Sequence, residues 1–230
     1  MKRGRLLLSA GLILGFVALL FSALLFAVTR VPAFYQEAQM AEGVERKALS
    51  AEAFGSWIRA RNALANLEPD WKVRFSEKQL NAYFQQDYQE HGGDANLPEG
   101  FSAPRVKIEN GTIRVAVRQR TFGLMYLYYS LEMKVWLVPD KSNVVALEIV
   151  SLKAGAIPLS TSALLDYISQ VARHQNTDVT WYRYDGHPVA VMRFQSDLTR
   201  PTLQFDRIDI EDGVITVAGR SMSPYSSQRK

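Results

Sequence analysis

The chain has 230 residues, of which 47 % are hydrophobic and 22 % are charged, and it contains no cysteine. This composition is that of a globular protein, and it excludes an intrinsically disordered chain, disulfides, thiolate metal sites and a cysteine nucleophile. Lys2, Arg3 and Arg5 account for three of the 27 basic residues, so the chain from Val28 onward carries 24 basic against 23 acidic residues, too even a balance for the strong positive field of a nucleic-acid-binding protein.

The first predicted element is a membrane-spanning helix from Leu6 to Val28. These 23 residues contain no charge, and as a helix they rise about 35 Å, more than the hydrocarbon core of roughly 30 Å. Three basic residues precede the segment, so the positive-inside rule keeps the N-terminus in the cytoplasm and exports the rest. A cleaved signal peptide is the alternative, but its apolar region is shorter, roughly 7 to 15 residues. We therefore predict a single-pass protein of the cytoplasmic (inner) membrane, with residues 1–31 as basic flank and anchor and an extracytoplasmic C-terminal domain.

Residues 32–68 are predicted to form a helical juxtamembrane stalk. Apolar residues between Met40 and Leu64 recur at spacings of three and four, the period of a helix. Ser50 is a candidate cap for a second helix in this segment. A helix lying on the membrane surface is the alternative, but the polar face lacks the excess of Lys and Arg that such helices carry.

An α+β domain is predicted over residues 69–220. Apolar residues alternate over residues 71–75, as in a strand. Ser76 and Gln79 then form a capping box, which starts a helix expected to end near Gln89.

Mainly β structure is predicted after Pro104, where the apolar pattern changes to period two. Three hairpin turns are indicated by the pairs Asn110-Gly111, Asp185-Gly186 and Asp212-Gly213. A break in apolar parity predicts a bulge at residues 206–207 in the last hairpin.

The remaining elements set the predicted architecture. One strand extends from Leu124 to Val138, about 50 Å, and has to curl. The next strand, Val144 to Leu152, is apolar on both faces and therefore central. An amphipathic helix from Ser162 to His174 is expected to cover the sheet. The fold class is thus α+β, with a strongly curved, mainly antiparallel sheet of about seven to nine strands, helices on one face and a mobile tail at residues 221–230.

Two candidate binding surfaces follow from this arrangement. The curved sheet and the amphipathic helix could enclose an apolar groove for a lipid or acyl chain. Its predicted lining is Leu127, Tyr129, Leu131, Met133, Leu164 and Ile168. Arg114, Arg118 and Arg120 share one side of a strand and could meet lipid headgroups or another partner, with an ordinary solvated face as the alternative.

No pattern in the sequence indicates a catalytic, cofactor or metal site. His91, His174 and His187 are scattered, without a pair at metal-ligand spacing. Asp185 and His187 could act as acid and base of a hydrolase, but the Asp-Gly pair there already has a turn to form. The acidic residues between 206 and 212 lack the spacing of a calcium loop.

Three short motifs suggest a relationship to a known family. They are residues 75–81 (Phe-Ser-Glu-Lys-Gln-Leu-Asn), residues 155–159 (Gly-Ala-Ile-Pro-Leu), and the closing Asp212-Gly213 hairpin with Val217 and Gly219. Together they resemble the YpmS-like family of small bacterial single-span membrane-anchored extracytoplasmic proteins, whose role is largely uncharacterised. The resemblance implies a bacterial extracytoplasmic protein with no known catalytic residues. From the long strand, the apolar faces of the central strands and the amphipathic helix, we expect a non-enzymatic, membrane-anchored binding module, and the alternative is a structural or assembly partner in an envelope protein complex.

Overall fold

The computed structural model describes residues 2–88, 93, 97–121, 125–175, 177–194 and 202–221, without the side chains of residues 2–13 and Gly15. Five helices are described: α1 (Lys2–Thr29), α2 (Ala33–Glu37), α3 (Val44–Ala65), α4 (Glu77–Gln86) and α5 (Ser162–His174). Ten strands are described: β1 (Asp70–Ser76), β2 (Phe101–Glu109), β3 (Thr112–Arg120), β4 (Tyr126–Leu137), β5 (Val144–Ala154), β6 (Ile157–Pro158), β7 (Asp178–Tyr184), β8 (His187–Arg193), β9 (Leu203–Glu211) and β10 (Val214–Ser221). The predicted tail lies outside the described residues after Ser221.

The strands form two antiparallel sheets. The larger one has the order β2-β3-β4-β5-β8-β7, with β6 paired to β5, and the smaller one has the order β1-β10-β9. The α+β class and the mainly antiparallel pairing are confirmed. The prediction of a single, strongly curved sheet is wrong, because the last hairpin pairs with β1 in a separate sheet. In addition, β4 has 12 residues and spans about 40 Å, so it needs less curvature than the predicted strand.

Local turn signals are reliable along this chain. Asn110 and Gly111 have φ values of 52° and 70°, and Asp185 and Gly186 have 47° and 81°, as the predicted two-residue turns require. The bulge is also confirmed. Ala218 pairs with Arg207 and Gly219 with Phe205, which leaves Asp206 as the extra residue.

Helix α4 covers the outer edge of β2 with polar side chains spaced four residues apart. Its start is the predicted capping box: Gln79 N donates to Ser76 Oγ at 3.1 Å, and Ser76 N donates to Gln79 Oε1 at 2.9 Å. Asn81 donates to Val106 O at 2.8 Å and accepts from Val106 N at 2.9 Å. One turn earlier, Glu77 accepts from a second β2 amide at 2.8 Å. The edge strand is therefore satisfied by side chains, which protects it from pairing with another chain.

The segment predicted as a helical stalk contains α2 and α3. Helix α3 packs on α4 and on β1, where Ala63, Trp71 and Val73 form a buried cluster. The predicted cap at Ser50 is wrong, because α3 begins at Val44. Ser50 lies buried inside the helix and its hydroxyl donates to Asp87.

Helix α1 is continuous and contains the segment predicted to span the membrane, Leu6 to Val28. The side chains of the first half of this segment lie outside the described residues. Within the described part of the chain, no helix combines the length and apolar character needed to cross a membrane.

Candidate functional site

The larger sheet has two chemically different faces, which the strand register defines. Arg114 and Arg118 of β3 lie opposite Glu132 and Tyr128 of β4, whereas Val115 lies opposite Leu131. Since neighbouring side chains in a strand point to opposite faces, we call these the basic face and the apolar face. The basic stripe and the apolar groove predicted from the sequence therefore lie back to back, and one ligand cannot occupy both.

The residues of the predicted groove are divided between β4 and α5. Leu127, Tyr129, Leu131 and Met133 lie on the apolar face, and Leu164 and Ile168 lie on α5, all half-buried. The helix has the predicted bounds, and Trp181 Nε1 of β7 donates to Ser169 Oγ in it at 2.8 Å. However, β5 and β8 separate β7 from β4, a width of about 14 Å at the usual strand spacing. An acyl-chain groove between the two parts stays a prediction.

Arg114, Arg118 and Arg120 share the basic face, as predicted, but their environments differ. Arg114 forms an ion pair with Glu109, and its guanidinium carbon lies 6.0 Å from the centre of the Phe34 ring. The guanidinium carbon of Arg118 lies 4.8 Å from the Tyr126 ring centre. Arg120 is exposed at the end of β3. The stripe is therefore partly covered by α2 and is not a uniformly solvated face.

The C-terminal end of α1 is fixed against the larger sheet at Gly155. Gly155 N donates to Tyr128 O at 2.7 Å, and Ala156 N donates to Ala27 O of α1 at 2.8 Å. Gly155 has φ +56°, and a Cβ added there would lie 2.4 Å from Ala27 O and Val28 O. Only glycine fits this close approach. The contact holds the end of the helix over the basic face.

A cavity of about 750 Å³ opens beside this contact. We call it the junction cavity, because the last turn of α1, residues 30–36 and the basic face all line it. Its charged lining consists of Arg30, Arg114, Lys153 and Glu132, three cations against one carboxylate. The lining also includes the hydroxyl groups of Ser130 and Ser151 and the aromatic rings of Phe26 and Phe34. This volume is typical of small-molecule sites. Because Arg114 is paired with Glu109, Arg30 and Lys153 remain against the single lining carboxylate of Glu132, and this balance still favours an anion.

No family model, curated protein or solved structure matches this chain. The resemblance to the YpmS-like family therefore stays a prediction, and the geometry alone has to carry the argument for function.

The acid and base residues considered from the sequence are not brought together. His187 Nδ1 lies 2.6 Å from Oε1 of Glu148, a buried residue of β5, and Asp185 occupies the turn. His174 ends α5, and His91 lies outside the described residues. Within the described residues, no group of three possible ligands could hold a metal ion. Strand pairing, which the sequence does not reveal, brings Glu148 to the histidine.

A second cavity, of about 370 Å³, lies between α3 and α4. We call it the aromatic cavity, because its lining is Ala53, Phe54, Trp57, Phe75, Leu80, Tyr83, Phe84 and Tyr88. Trp57 is 62 % exposed at its rim. Burial raises the pKa of Tyr83, and the negative charge of Asp87 raises it further, so Tyr83 presents a neutral hydroxyl. The apolar spacing between Met40 and Leu64 was visible in the sequence, but its pairing with α4 was not.

Proposed function

We propose that the protein is a membrane-anchored, extracytoplasmic binding module without enzymatic activity, and that its ligand is an anionic lipid headgroup. The observation that carries this proposal is the junction cavity. Its position, charge and lining each favour such a ligand.

Position is the first reason. The uncharged segment from Leu6 to Val28 is long enough to span a bilayer, and a basic flank precedes it. If it is the anchor, the cavity begins at Phe26 and Thr29 in its last turn. The cavity then lies at the extracytoplasmic membrane–water interface, within reach of a phospholipid that remains in the bilayer.

Charge and lining are the second reason. Arginine and lysine recognise phosphate, arginine in a two-pronged geometry and lysine as a point charge. Arg30 and Lys153 have no ion pair with any described residue, so both remain available for an anion. Phe26 at the membrane end offers apolar contact to the first carbons of an acyl chain.

Native mass spectrometry tests the proposal on the full-length protein released from nanodiscs of equal phosphatidylglycerol and phosphatidylcholine. We expect one phosphatidylglycerol to be retained. A basic residue near an anionic lipid contributes about 1 kcal/mol, so Lys153→Gln should weaken retention about fivefold. Lys141→Gln, in the exposed turn after β4, is the matched control and should change nothing. Equal retention in Lys153→Gln and the wild type, or equal retention of both lipids, would refute the proposal.

Topology is tested separately. A reporter fused after Lys230 should be active only when it is designed to fold outside the cytoplasm. Activity of a cytoplasmic reporter in its place would contradict the predicted orientation, whatever the outcome of the lipid experiment.

The aromatic cavity favours a second candidate, a structural or assembly partner in an envelope complex. Exposed tryptophan and tyrosine are enriched at protein interfaces, and Trp57 stands at the rim of this cavity. A photo-crosslinking residue at position 57 should then yield one defined product in membranes, and the same probe at exposed Lys141 should not. If no such product forms while phosphatidylglycerol is retained, the lipid-binding function is favoured.

A further inference from the structure

Arg105, on the basic face, carries a buried positive charge. Its side chain lies beneath α2, and the residue is only 6 % exposed. Nη1 donates to Pro104 O at 2.7 Å, and the guanidinium carbon lies 5.5 Å from the ring centre of Tyr35. Nε is buried and has no hydrogen-bond partner in the described structure. The Nε–H donor of this guanidinium is therefore unused.

Arg118 adds a second cation close by. It is half-buried over the ring of Tyr126, and its Nε donates to Ser102 Oγ at 3.4 Å. No carboxylate of a described residue forms an ion pair with either Arg105 or Arg118. A third guanidinium, that of Arg46, is engaged by Glu42 at 3.3 Å. Two of the three positive charges thus lack a counterion among the described residues.

The electrostatic consequence is visible at Arg105. Burial lowers the pKa of its guanidinium, the proximity of Tyr35 opposes that shift, and the positive charges of Arg118 and Arg46 lower the pKa further. Burial also raises the pKa of the Tyr35 hydroxyl, which donates to Ala103 O at 2.8 Å. At neutral pH Tyr35 is therefore a neutral phenol and supplies no negative charge, and its opposing effect on the pKa of Arg105 applies only at the high pH where the phenol ionises.

A buried, unpaired cation is costly, and arginine does not lose its proton to avoid that cost. The aromatic rings of Tyr35 and Tyr126 offset only part of it. An anion that contacts both guanidinium groups would supply the missing charge and fill the unused donors. Arg118 is half-buried, so part of its side chain borders solvent.

We propose that Arg105 and Arg118 form a binding site for a phosphate-type oxyanion. This site goes beyond the proposed function, because it is distinct from the junction cavity. Phe34 and Tyr35 of α2 pack on Ala116 of β3 and lie between the two. The oxyanion is either free phosphate or the phosphate of a lipid headgroup, which share the same recognition chemistry.

Equilibrium dialysis with labelled inorganic phosphate tests the site on the full-length protein in detergent, at constant ionic strength set with chloride. We expect one phosphate per chain and at least tenfold weaker binding in Arg118→Gln. Arg173→Gln, on the exposed side of α5, is the control and should bind as the wild type does. Equal binding in Arg118→Gln and the wild type, or no binding at all, would overturn the proposal. Because the junction cavity is tested by phosphatidylglycerol retention in Lys153→Gln, the two sites can fail independently.

Stability provides a second readout. Replacing a buried, unpaired charge with an apolar side chain of similar shape favours the folded state. In chloride alone, Arg105→Met should therefore unfold at a higher temperature than the wild type, and added phosphate should stabilise only the wild type. A phosphate-dependent shift of the same size in both proteins would contradict the site. If Arg105→Met does not fold, the dialysis result for Arg118→Gln decides.

The source of the anion is resolved in nanodiscs of pure phosphatidylglycerol. If the headgroup is the ligand, the wild type in these discs no longer takes up inorganic phosphate and Arg118→Gln retains less phosphatidylglycerol. If free phosphate is the ligand, uptake is the same in the discs and in detergent. Either result supports the site. The site is refuted if Arg118→Gln takes up as much inorganic phosphate as the wild type in detergent and also retains as much phosphatidylglycerol in the nanodiscs.

Discussion

Asn81 is the residue whose replacement tests the fold most directly. Its amide is 2 % exposed and forms two hydrogen bonds with Val106, one as donor and one as acceptor. Val106 belongs to the edge strand β2 and is 3 % exposed. Asn81→Ala removes both bonds and leaves the amide and carbonyl of Val106 buried without partners.

The expected loss follows from these two groups. Each buried, unsatisfied polar group costs about 1–3 kcal/mol, so the two together cost about 4 kcal/mol. The higher helix propensity of alanine returns about 0.5 kcal/mol. We therefore expect Asn81→Ala to lower the free energy of unfolding by about 3 to 4 kcal/mol.

Urea titration of the full-length protein in detergent measures this loss, and the four tryptophans report unfolding by fluorescence. Lys78→Ala, on the exposed side of the same helix, is the control and should stay within about 0.5 kcal/mol of the wild type. A loss in Asn81→Ala no larger than that of the control would show that the backbone of β2 is satisfied in some other way.

Asn81→Asp separates the two hydrogen bonds by pH. The ionised carboxylate of this variant would accept from the amide of Val106 but face its carbonyl oxygen, whereas the protonated form donates to that oxygen. Burial should raise the pKa of the new carboxyl above its ordinary value of about 3.9. The stability relative to wild type should then be greatest below about pH 4 and be lost as the pH rises through the folded-state pKa. A loss in the free energy of unfolding, relative to the wild type, that does not change with pH would contradict this explanation.

Three further changes probe contacts described above. Ser76→Ala removes the acceptor of the capping box and should lower the free energy of unfolding by about 1 kcal/mol in the same urea titration; an unchanged midpoint would contradict the role of the cap. Gly155→Ala places a methyl group against the α1 carbonyls and should prevent an engineered disulfide between positions 27 and 156 from forming, whereas Gly111→Ala, with open space around it, should allow that disulfide. His187→Ala leaves the buried carboxyl of Glu148 without its partner and should destabilise by about 1–3 kcal/mol; adding Glu148→Gln should recover part of this loss, and no recovery would show that the pair is not the cause.

Features encoded by neighbouring residues could be predicted from the sequence. The hairpin at Asn110-Gly111 and the capping box at Ser76 depend on contacts within four residues, so their signals are local. The bounds of α5 and the extra residue at Asp206 follow in the same way from periodicity. The shared face of Arg114 and Arg118 is a simple consequence of alternation in a strand.

Features that depend on which strands pair could not be predicted. Nothing local to β9 and β10 states that they join β1 instead of the larger sheet. The junction cavity needs Arg30, Arg114 and Lys153 to meet from three distant segments, and only one of these residues was singled out from the sequence. Burial of Arg105 was missed because a charged residue in a strand is normally expected to face solvent.

The pairing of β1 with β10 makes the order of synthesis matter. These strands lie about 140 residues apart, a separation that slows folding, and β1 is synthesised long before β10. The tip of the β9–β10 hairpin also joins the first hairpin, since Gly213 N donates to Ile108 O and Asp212 Oδ1 accepts from Asn110 N, each at 2.8 Å. A chain cleaved before Val214 would leave β1 without a paired strand and the cluster around Trp71 without Val217, so that proteases could reach this segment more easily.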